Sequence, residues 1–292
     1  MNLQAQETVV GFIGIGVMGR SMASHLMAAG YPLNIYNRTQ AKAEELLDRG
    51  ASWRESPAAV AAHSEIIITM LGYPRDVEEV YLGPEGLLAH CRTGSVVIDM
   101  TTSSPQLAEK IAAAARQVGI AALDAPVSGG DIGAREGTLS IMVGGERNTF
   151  EQVRPLLACM GKNIVFQGTA GSGQHCKMAN QIAIASTMMG VCEAMVYAEK
   201  AGLTPETVLE SIASGAAGSW SLSNLAPRML AGDLEPGFYV KHFIKDMNIA
   251  LESSEEIGLS AQGLALAKSM YDRLAAAGDG ELGTQALYKA YR

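Results

Sequence analysis

The sequence predicts an α/β fold, a doubly wound and mostly parallel sheet, followed by an all-α domain, and three observations predict it. Short runs rich in Val and Ile (VVGFIG, PLNIYN, SEIIITML, GSVVIDM, IAALDAPV, LSIMVGG and NIVFQG) alternate with helical patterns from residue 9 to about 168, as βαβ units do. Most of these runs are continuous rather than alternating, the mark of strands covered by helices on both faces. After GTAGSGQ (168–174) the chain offers long stretches rich in Ala, Met, Leu and Glu at helical spacing, with no convincing strand.

The elements follow in chain order. VVGFIG turns straight into Gly14-Ile15-Gly16-Val17-Met18-Gly19, and the helical pattern behind it puts Met18, Met22, His25, Leu26 and Met27 near one side. PLNIYN ends at Tyr36, ahead of Asn37-Arg38-Thr39. SEIIITML leads to Met70-Leu71-Gly72-Tyr73-Pro74, GSVVIDM to Asp99-Met100-Thr101-Thr102-Ser103, and IAALDAPV to Asp124 and Val127-Ser128-Gly129-Gly130. A long helix is expected from near Ser172 to about Lys200, where AGLTPE supplies a Gly stop and a Thr-Pro-Glu start for the next. At ~1.5 Å per residue it measures about 40 Å, enough to join two domains. GAAGSWS (215–221) reads as a loop between helices. The expected boundaries are 1–168 for the sheet domain, 169–200 for the joining helix and 201–292 for the all-α domain.

Charge and composition narrow the function classes. Twenty-two basic against thirty acidic residues leave a net charge of −8, so no global positive field attracts nucleic acid or anionic lipid. Hydrophobic residues at 48% and charged residues at 18% are those of a folded chain rather than a disordered one. MNLQAQETVV lacks the basic and apolar regions of a signal peptide. The uncharged stretch from Met178 to Cys192 carries Asn180, Gln181, Ser186 and Thr187 and falls short of the ~20 apolar residues of a spanning helix. A cytoplasmic protein with no membrane or nucleic-acid partner is expected. Cys91, Cys159, Cys176 and Cys192 show no C-x-x-C pair and no His at metal spacing, so they read as reduced thiols with neither disulfide nor metal.

The glycine run has G-x-G-x-x-G spacing between a strand and a helix, the setting in which it holds a dinucleotide. Gly14 permits the tight turn, Gly16 lets a pyrophosphate approach the backbone, and Gly19 allows the helix to pack on the strand. The helix start at Val17 and Met18 supplies free N–H groups and a partial positive charge to the phosphates. Asn37 stands where NAD-preferring folds carry an Asp or Glu for the ribose 2′-hydroxyl, while Arg38 and Thr39 offer a guanidinium and a hydroxyl to a 2′-phosphate. NADP(H) is favoured and NAD(H) remains open, because Arg38 could instead stack on adenine.

Ligands of such sheets sit at the carboxyl ends of the strands. Ser128-Gly129-Gly130 either presents a hydroxyl and N–H groups to a carboxylate or is an ordinary turn. Beyond Gly171-Ser172-Gly173, Lys177 and Asn180 lie three apart, on one helix face. A lysine desolvated there, or close to another cation, has its pKa lowered toward the range useful for proton transfer. Lys241, Lys245 and Asp246 form a second polar group, in which Lys245 is either that second cation or a plain surface lysine.

Four ordered blocks, GFIGIGVMG (11–19), DAPVSGG (124–130), GSGQHCKMANQ (171–181) and FIKDM (243–247), closely resemble the β-hydroxyacid dehydrogenase family. That family includes 3-hydroxyisobutyrate dehydrogenase, tartronate semialdehyde reductase and glyoxylate/succinic semialdehyde reductases. The resemblance spans essentially the whole chain and implies an N-terminal Rossmann-type domain for NAD(P), a long helix, an all-α domain for substrate binding and oligomerisation, and a substrate between the domains. By matching motif, Lys177 resembles the catalytic lysine, and Ser128, Gly129, Gly130, Asn180 and Lys245 the substrate-holding residues, with Asp246 orienting Lys245. Thr101 resembles a residue near the nicotinamide ribose, Met70 and Leu71 line the cofactor, and Lys245 also borders it. Gly72-Tyr73 replaces the more usual Pro-containing turn, and Gln181 stands where many members have a second Asn.

The resemblance implies hydride transfer between the nicotinamide and a small carboxylated substrate, with Lys177 as general acid or base. A reductase using NADPH on glyoxylate or a C3–C4 semialdehyde is expected, in a self-associating dimer or tetramer. The alternatives are 3-hydroxyisobutyrate oxidation with NAD and a non-catalytic dinucleotide-binding interaction protein. Imine reductases of this layout typically lack the lysine, and 6-phosphogluconate-type decarboxylases need a much longer helical domain.

Overall fold

In the computed structural model, which describes residues 3–292, the apolar runs become strands. They are β1 (Val10–Ile13), β2 (Leu33–Tyr36), β3 (Ser52–Trp53), β4 (Ile66–Thr69), β5 (Val96–Asp99), β6 (Ala121–Asp124), β7 (Val127–Ser128), β8 (Leu139–Gly144) and β9 (Gly161–Gly168). The order β3-β2-β1-β4-β5-β6 is parallel throughout, the doubly wound arrangement of dinucleotide-binding sheets. β8 then runs antiparallel to β6, and β9 parallel to β8. β6 and β7 meet β8 in one continuous antiparallel register, Asp124 opposite Gly144 and Ser128 opposite Ser140. Ser128 therefore sits at the end of a paired strand rather than in a free turn. The two-residue strands β3 and β7 were not foreseen, being too short for a periodicity to mark.

The helices among these strands are α1 (Val17–Ala28), α2 (Glu44–Asp48), α3 (Pro57–Ala62), α4 (Pro74–Leu82), α5 (Leu87–His90), α6 (Pro105–Gln117), α7 (Gly130–Glu136) and α8 (Arg147–Leu157). The continuous apolar runs are explained by two cores. Val10, Phe12, Ile66, Ile68 and Ile98 pack with Met22 and Leu26 of α1 and Phe150 and Val153 of α8. Ile13, Ile67 and Val97, one residue out of phase, pack with Val60, Val77, Tyr81 and Ile111 from α3, α4 and α6. Successive strand side chains point to opposite faces, so a strand buried on both must be apolar at every position.

The chain divides into two units, 1–177 and 178–292, and the division falls inside α9 (Ser172–Lys200). The joining helix expected over 169–200 is thus not a body of its own; its start belongs to the sheet unit and the rest to the helical unit. It ends as the sequence predicts, with Gly202 at φ +77° and the amides of Gly202 and Leu203 returning to Glu199 and Ala198. The helical unit continues through α10 (Pro205–Ile212), α11 (Trp220–Asn224), α12 (Ala226–Leu230), α13 (Val240–Glu256) and α14 (Gln262–Ala276). By length and composition alone α9 could cross a membrane; its Met188, Cys192 and Met195 lie in the core of the helical unit with Phe243, Met247 and Tyr271.

All four cysteines are free thiols. Cys192 is fully buried in the helical core and Cys91 packs at the edge of the second sheet core. Burial pushes both thiols up to about 12.

Candidate active site

The glycine turn at the end of β1 separates packing from function. Gly14 has φ +99°, and a Cβ there would lie 2.2 Å from the Met70 carbonyl oxygen; only glycine fits. A Cβ on Gly19 would lie 1.9 Å from the Gly14 carbonyl oxygen. At Gly16, by contrast, a Cβ would meet nothing within 4 Å. The fold has no need of a bare backbone there, whereas a ligand that must touch the backbone does. Gly16 caps α1 without any side-chain hydrogen bond, so the first helical amides, at Val17 and Met18, stand ready for the phosphates of a dinucleotide. The turn thus fits the cofactor that its spacing predicts.

Asn37 braces this turn. Its Oδ1 accepts the Ile15 N–H at 3.0 Å and its Nδ2 donates to the Thr39 carbonyl at 2.8 Å. A carboxylate could accept the first bond but could not donate the second, so the asparagine has a task independent of nucleotide choice. Arg38 and Thr39 follow on the surface, and the Arg38 guanidinium pairs with Asp76 of α4.

Met70 and Leu71 extend from β4 against Gly14. The Leu71 N–H donates to Thr101 Oγ1 at 2.8 Å. Thr101, fully buried, gives its own N–H to Asp99 Oδ1 at 3.1 Å, and the Thr69 hydroxyl reaches the same oxygen at 2.7 Å. Thr101 is therefore a brace between the ends of β4 and β5. Burial pushes the Asp99 carboxyl up to about 6, against the hydrogen bonds from Thr101 and Thr69, and the charge of Asp124 adds to the rise.

Beyond β7, Gly129 at φ +131° and Gly130 at φ +62° turn the chain into α7 by conformations that side chains disfavour. α7 is held on α1 by His25, whose Nε2 lies 3.0 Å from the carbonyl oxygens of both Ala134 and Arg135. Lys177, 6% exposed, donates from Nζ to the Val127 carbonyl at 2.8 Å. The structure thus brings Lys177 to the residue before Ser128. Lysines are almost never so buried unless paired.

In the helical unit, Asn180 Nδ2 donates to Gln181 Oε1 at 2.7 Å and Gln181 Nε2 to Asp246 Oδ2 at 2.6 Å. Lys245 Nζ stands 2.9 Å from Asp246 Oδ1, so Asp246 is the partner that the resemblance gives Lys245. Gln181, a departure from the common pattern, is the link that joins Asn180 to this pair. Lys241 is not part of it; its amine pairs with Glu281 at 2.6 Å. One turn before Lys245, burial holds His242 below the usual imidazole range, and the charges of Lys245 and Lys241 push the same way.

Asp124 and Gln174 are not among the expected site residues, yet they bond across the same elements. Asp124 accepts the Gly171 and Gln174 amides, and Gln174 bonds the backbone of Ser103 and Thr101. In the sequence they are a polar residue at a strand end and one on a helix, with no spacing rule to single them out.

Residues 9–168 match the family described as the NAD binding domain of 6-phosphogluconate dehydrogenase, and residues 171–291 that described as the NAD-binding domain of NADP-dependent 3-hydroxyisobutyrate dehydrogenase. The chain is similar to an uncharacterised oxidoreductase of Bacillus subtilis, 60% identical over 98% of this chain and 99% of that one. It is also similar to 2-hydroxy-3-oxopropionate reductase of Escherichia coli, 40% identical over 96% of each. A solved structure of Mycobacterium tuberculosis 3-hydroxyisobutyrate dehydrogenase with L-serine superposes with a TM-score of 0.90 at 30% identity, covering 98% of this chain and 99% of that one. The sheet order, the glycine turn and these matches along almost the full length converge: the chain belongs to the β-hydroxyacid dehydrogenase family of NAD(P)-binding oxidoreductases.

Proposed function

We propose that this protein uses NADPH to reduce a small carboxylated aldehyde, a semialdehyde or glyoxylate, to its hydroxy acid, with Lys177 as the proton donor. Family membership supplies the coarser part, an NAD(P)-dependent hydroxyacid dehydrogenase. The observation that carries the finer part is the buried Lys177 amine on the Val127 carbonyl, next to the Ser128-Gly129-Gly130 turn. An amine sequestered there is shielded from water and anchored beside the turn.

The nicotinamide, when bound, supplies hydride to the aldehyde carbon. Lys177 gives a proton from Nζ to the carbonyl oxygen and recovers it in the oxidative direction. Ser128, Gly129, Gly130, Asn180 and Lys245 hold the substrate carboxylate, which fixes the carbonyl for attack. Asp246 keeps Lys245 in place, and Gln181 does the same for Asn180.

A panel of small carboxylated aldehydes, assayed with both nucleotides, tests this reading. Reduction of a semialdehyde or glyoxylate with NADPH is expected. A protein that binds nucleotide but reduces none of them would be a binding module. NAD-dependent oxidation of 3-hydroxyisobutyrate is the second reading, favoured by the Asp76 carboxylate on Arg38, which competes with a 2′-phosphate.

A further inference from the structure

We propose that Asp124 and Gln174 are positioning residues for proton transfer, clamping the first turn of α9 so that Lys177 and the cofactor-lining end of β5 keep one register. This role rests on Lys177 being the proton donor. It deepens that assignment by stating what fixes the lysine in place.

The clamp is built from a strand end reaching into a helix start. The buried Asp124 carboxylate accepts the Gly171 N–H on Oδ1 at 2.9 Å and the Gln174 N–H on Oδ2 at 2.8 Å. Gly171 immediately precedes α9 and Gln174 lies in its first turn, whose amides have no partner within the helix. A negative charge at that end is favourable for the same reason. Two glycines make the approach close enough. A Cβ on Gly144 would lie 2.5 Å from Asp124 Oδ1, and one on Gly173 would lie 2.4 Å from the Met142 carbonyl oxygen and 2.6 Å from that of Asp124.

Gln174 extends the clamp sideways. It is fully buried; its Oε1 accepts the Ser103 N–H at 2.9 Å and its Nε2 donates to the Thr101 carbonyl at 2.8 Å. Thr101 in turn holds the Leu71 amide. An unbroken path of hydrogen bonds therefore runs from the residues that line the cofactor, through Thr101 and Gln174, to the turn that carries Lys177. Lys177 lies three residues after Gln174, on the same helix face. Its own amine is then fixed at Val127, three residues after Asp124. Hydride and proton must reach adjacent atoms of one carbonyl, so the tolerance on this register is a fraction of an ångström.

Asp124→Asn, Gln174→Leu and Lys177→Ala test the idea, with kcat and KM for the best aldehyde, nucleotide affinity by fluorescence titration, and the isotope effect from deuterated nucleotide. For Asp124→Asn and Gln174→Leu we expect kcat to fall on the order of 10- to 100-fold, with KM and nucleotide affinity within about threefold. The isotope effect on kcat should rise, whereas a loss of folded protein would leave it unchanged. Adding Gln174→Leu to Lys177→Ala should cost almost nothing further, because the clamp acts through the lysine. Should Asp124→Asn fail to fold, Gln174→Leu and the milder Gln174→Asn carry the test. Normal kcat in the clamp variants beside an inactive Lys177→Ala would overturn the clamp alone, as would full additivity in the double variant. Normal kcat in Lys177→Ala would overturn the lysine assignment and the clamp with it.

Discussion

The Arg38 guanidinium stands 3.3 Å from Asp76 Oδ1, with the arginine side chain 78% exposed and the aspartate only 12% exposed. The other carboxylate oxygen of Asp76 is buried with no hydrogen-bond partner among the described residues. The residue that would receive a 2′-phosphate is thus already matched to a fixed carboxylate at the start of a helix, and the phosphate must win it. Arg38→Ala is expected to weaken NADPH binding by ~1.5–3 kcal/mol, the worth of a charged hydrogen bond, with little change for NADH. Asp76→Asn should shift selectivity the other way, toward NADPH. Calorimetric titration of both nucleotides decides, and equal effects on the two would make Arg38 a structural or adenine-stacking residue.

Lys177→Ala should bind nucleotide normally and lose most turnover, since positioned acid–base groups contribute typically ~10²–10⁴-fold. Lys245→Ala should chiefly raise KM, because holding a carboxylate matters equally in ground and transition states. Steady-state kinetics of the two variants separate the roles; a kcat loss confined to Lys245→Ala would exchange them.

Glycine substitutions separate folding from cofactor binding in one loop. Gly16→Ala points its methyl into open space, so its melting temperature should match the parent while nucleotide affinity falls at least tenfold. Gly19→Ala drives a methyl into the Gly14 carbonyl and should cost ~1–3 kcal/mol or more in stability. Melting and titration of both variants check this; a destabilised Gly16→Ala would contradict it.

Asp99 gives a pH-dependent signature. Its folded carboxyl titrates at about 6, above the ordinary range near 4. Below about pH 4 it is protonated in both states and its contribution to stability is fully present; as pH rises through about 6 that contribution is lost. Asp99→Asn keeps an oxygen for Thr69 and Thr101 but never ionises. Its stability relative to the parent should therefore grow from pH 4 to pH 7, on the order of 1–3 kcal/mol. Denaturant unfolding at the two pH values measures the difference, and a gap that shrinks toward neutrality would refute the assignment.

Self-association is expected, to a dimer or tetramer. Tyr197, Trp220 and Leu266 of the helical unit are each more than half exposed, and apolar side chains of that size are what oligomer contacts cover. Sedimentation at micromolar concentration should give a species at least twice the 30.7 kDa of one chain; a monomer would refute this.

The sheet, the dinucleotide turn and the long helix were legible because each leaves a local pattern: continuous Val/Ile runs, glycines at fixed spacing, and a Gly stop followed by Thr-Pro-Glu. Asn37 was legible as a missing carboxylate but not as the brace of the Ile15 amide, since that bond joins residues distant in sequence. The Asp124–Gln174 clamp was illegible for the same reason. Its bonds span 47 to 73 residues, and nothing in the spacing of a strand end and a helix start announces that they will meet. The pairing of β7 with β8 was equally hidden, because two residues carry no period.

The Cys192 thiol gives the helical unit a native clock. With a pKa near 12, only about one such thiol in 10⁵ is the reactive thiolate at neutral pH, and Cys192 is sealed in the helical core. Its alkylation then waits on local or global opening of the unit that holds it. Trapping followed peptide by peptide in a mass spectrometer would time the breathing of that unit, with no label introduced, while the half-buried Cys91 serves as a faster internal reference.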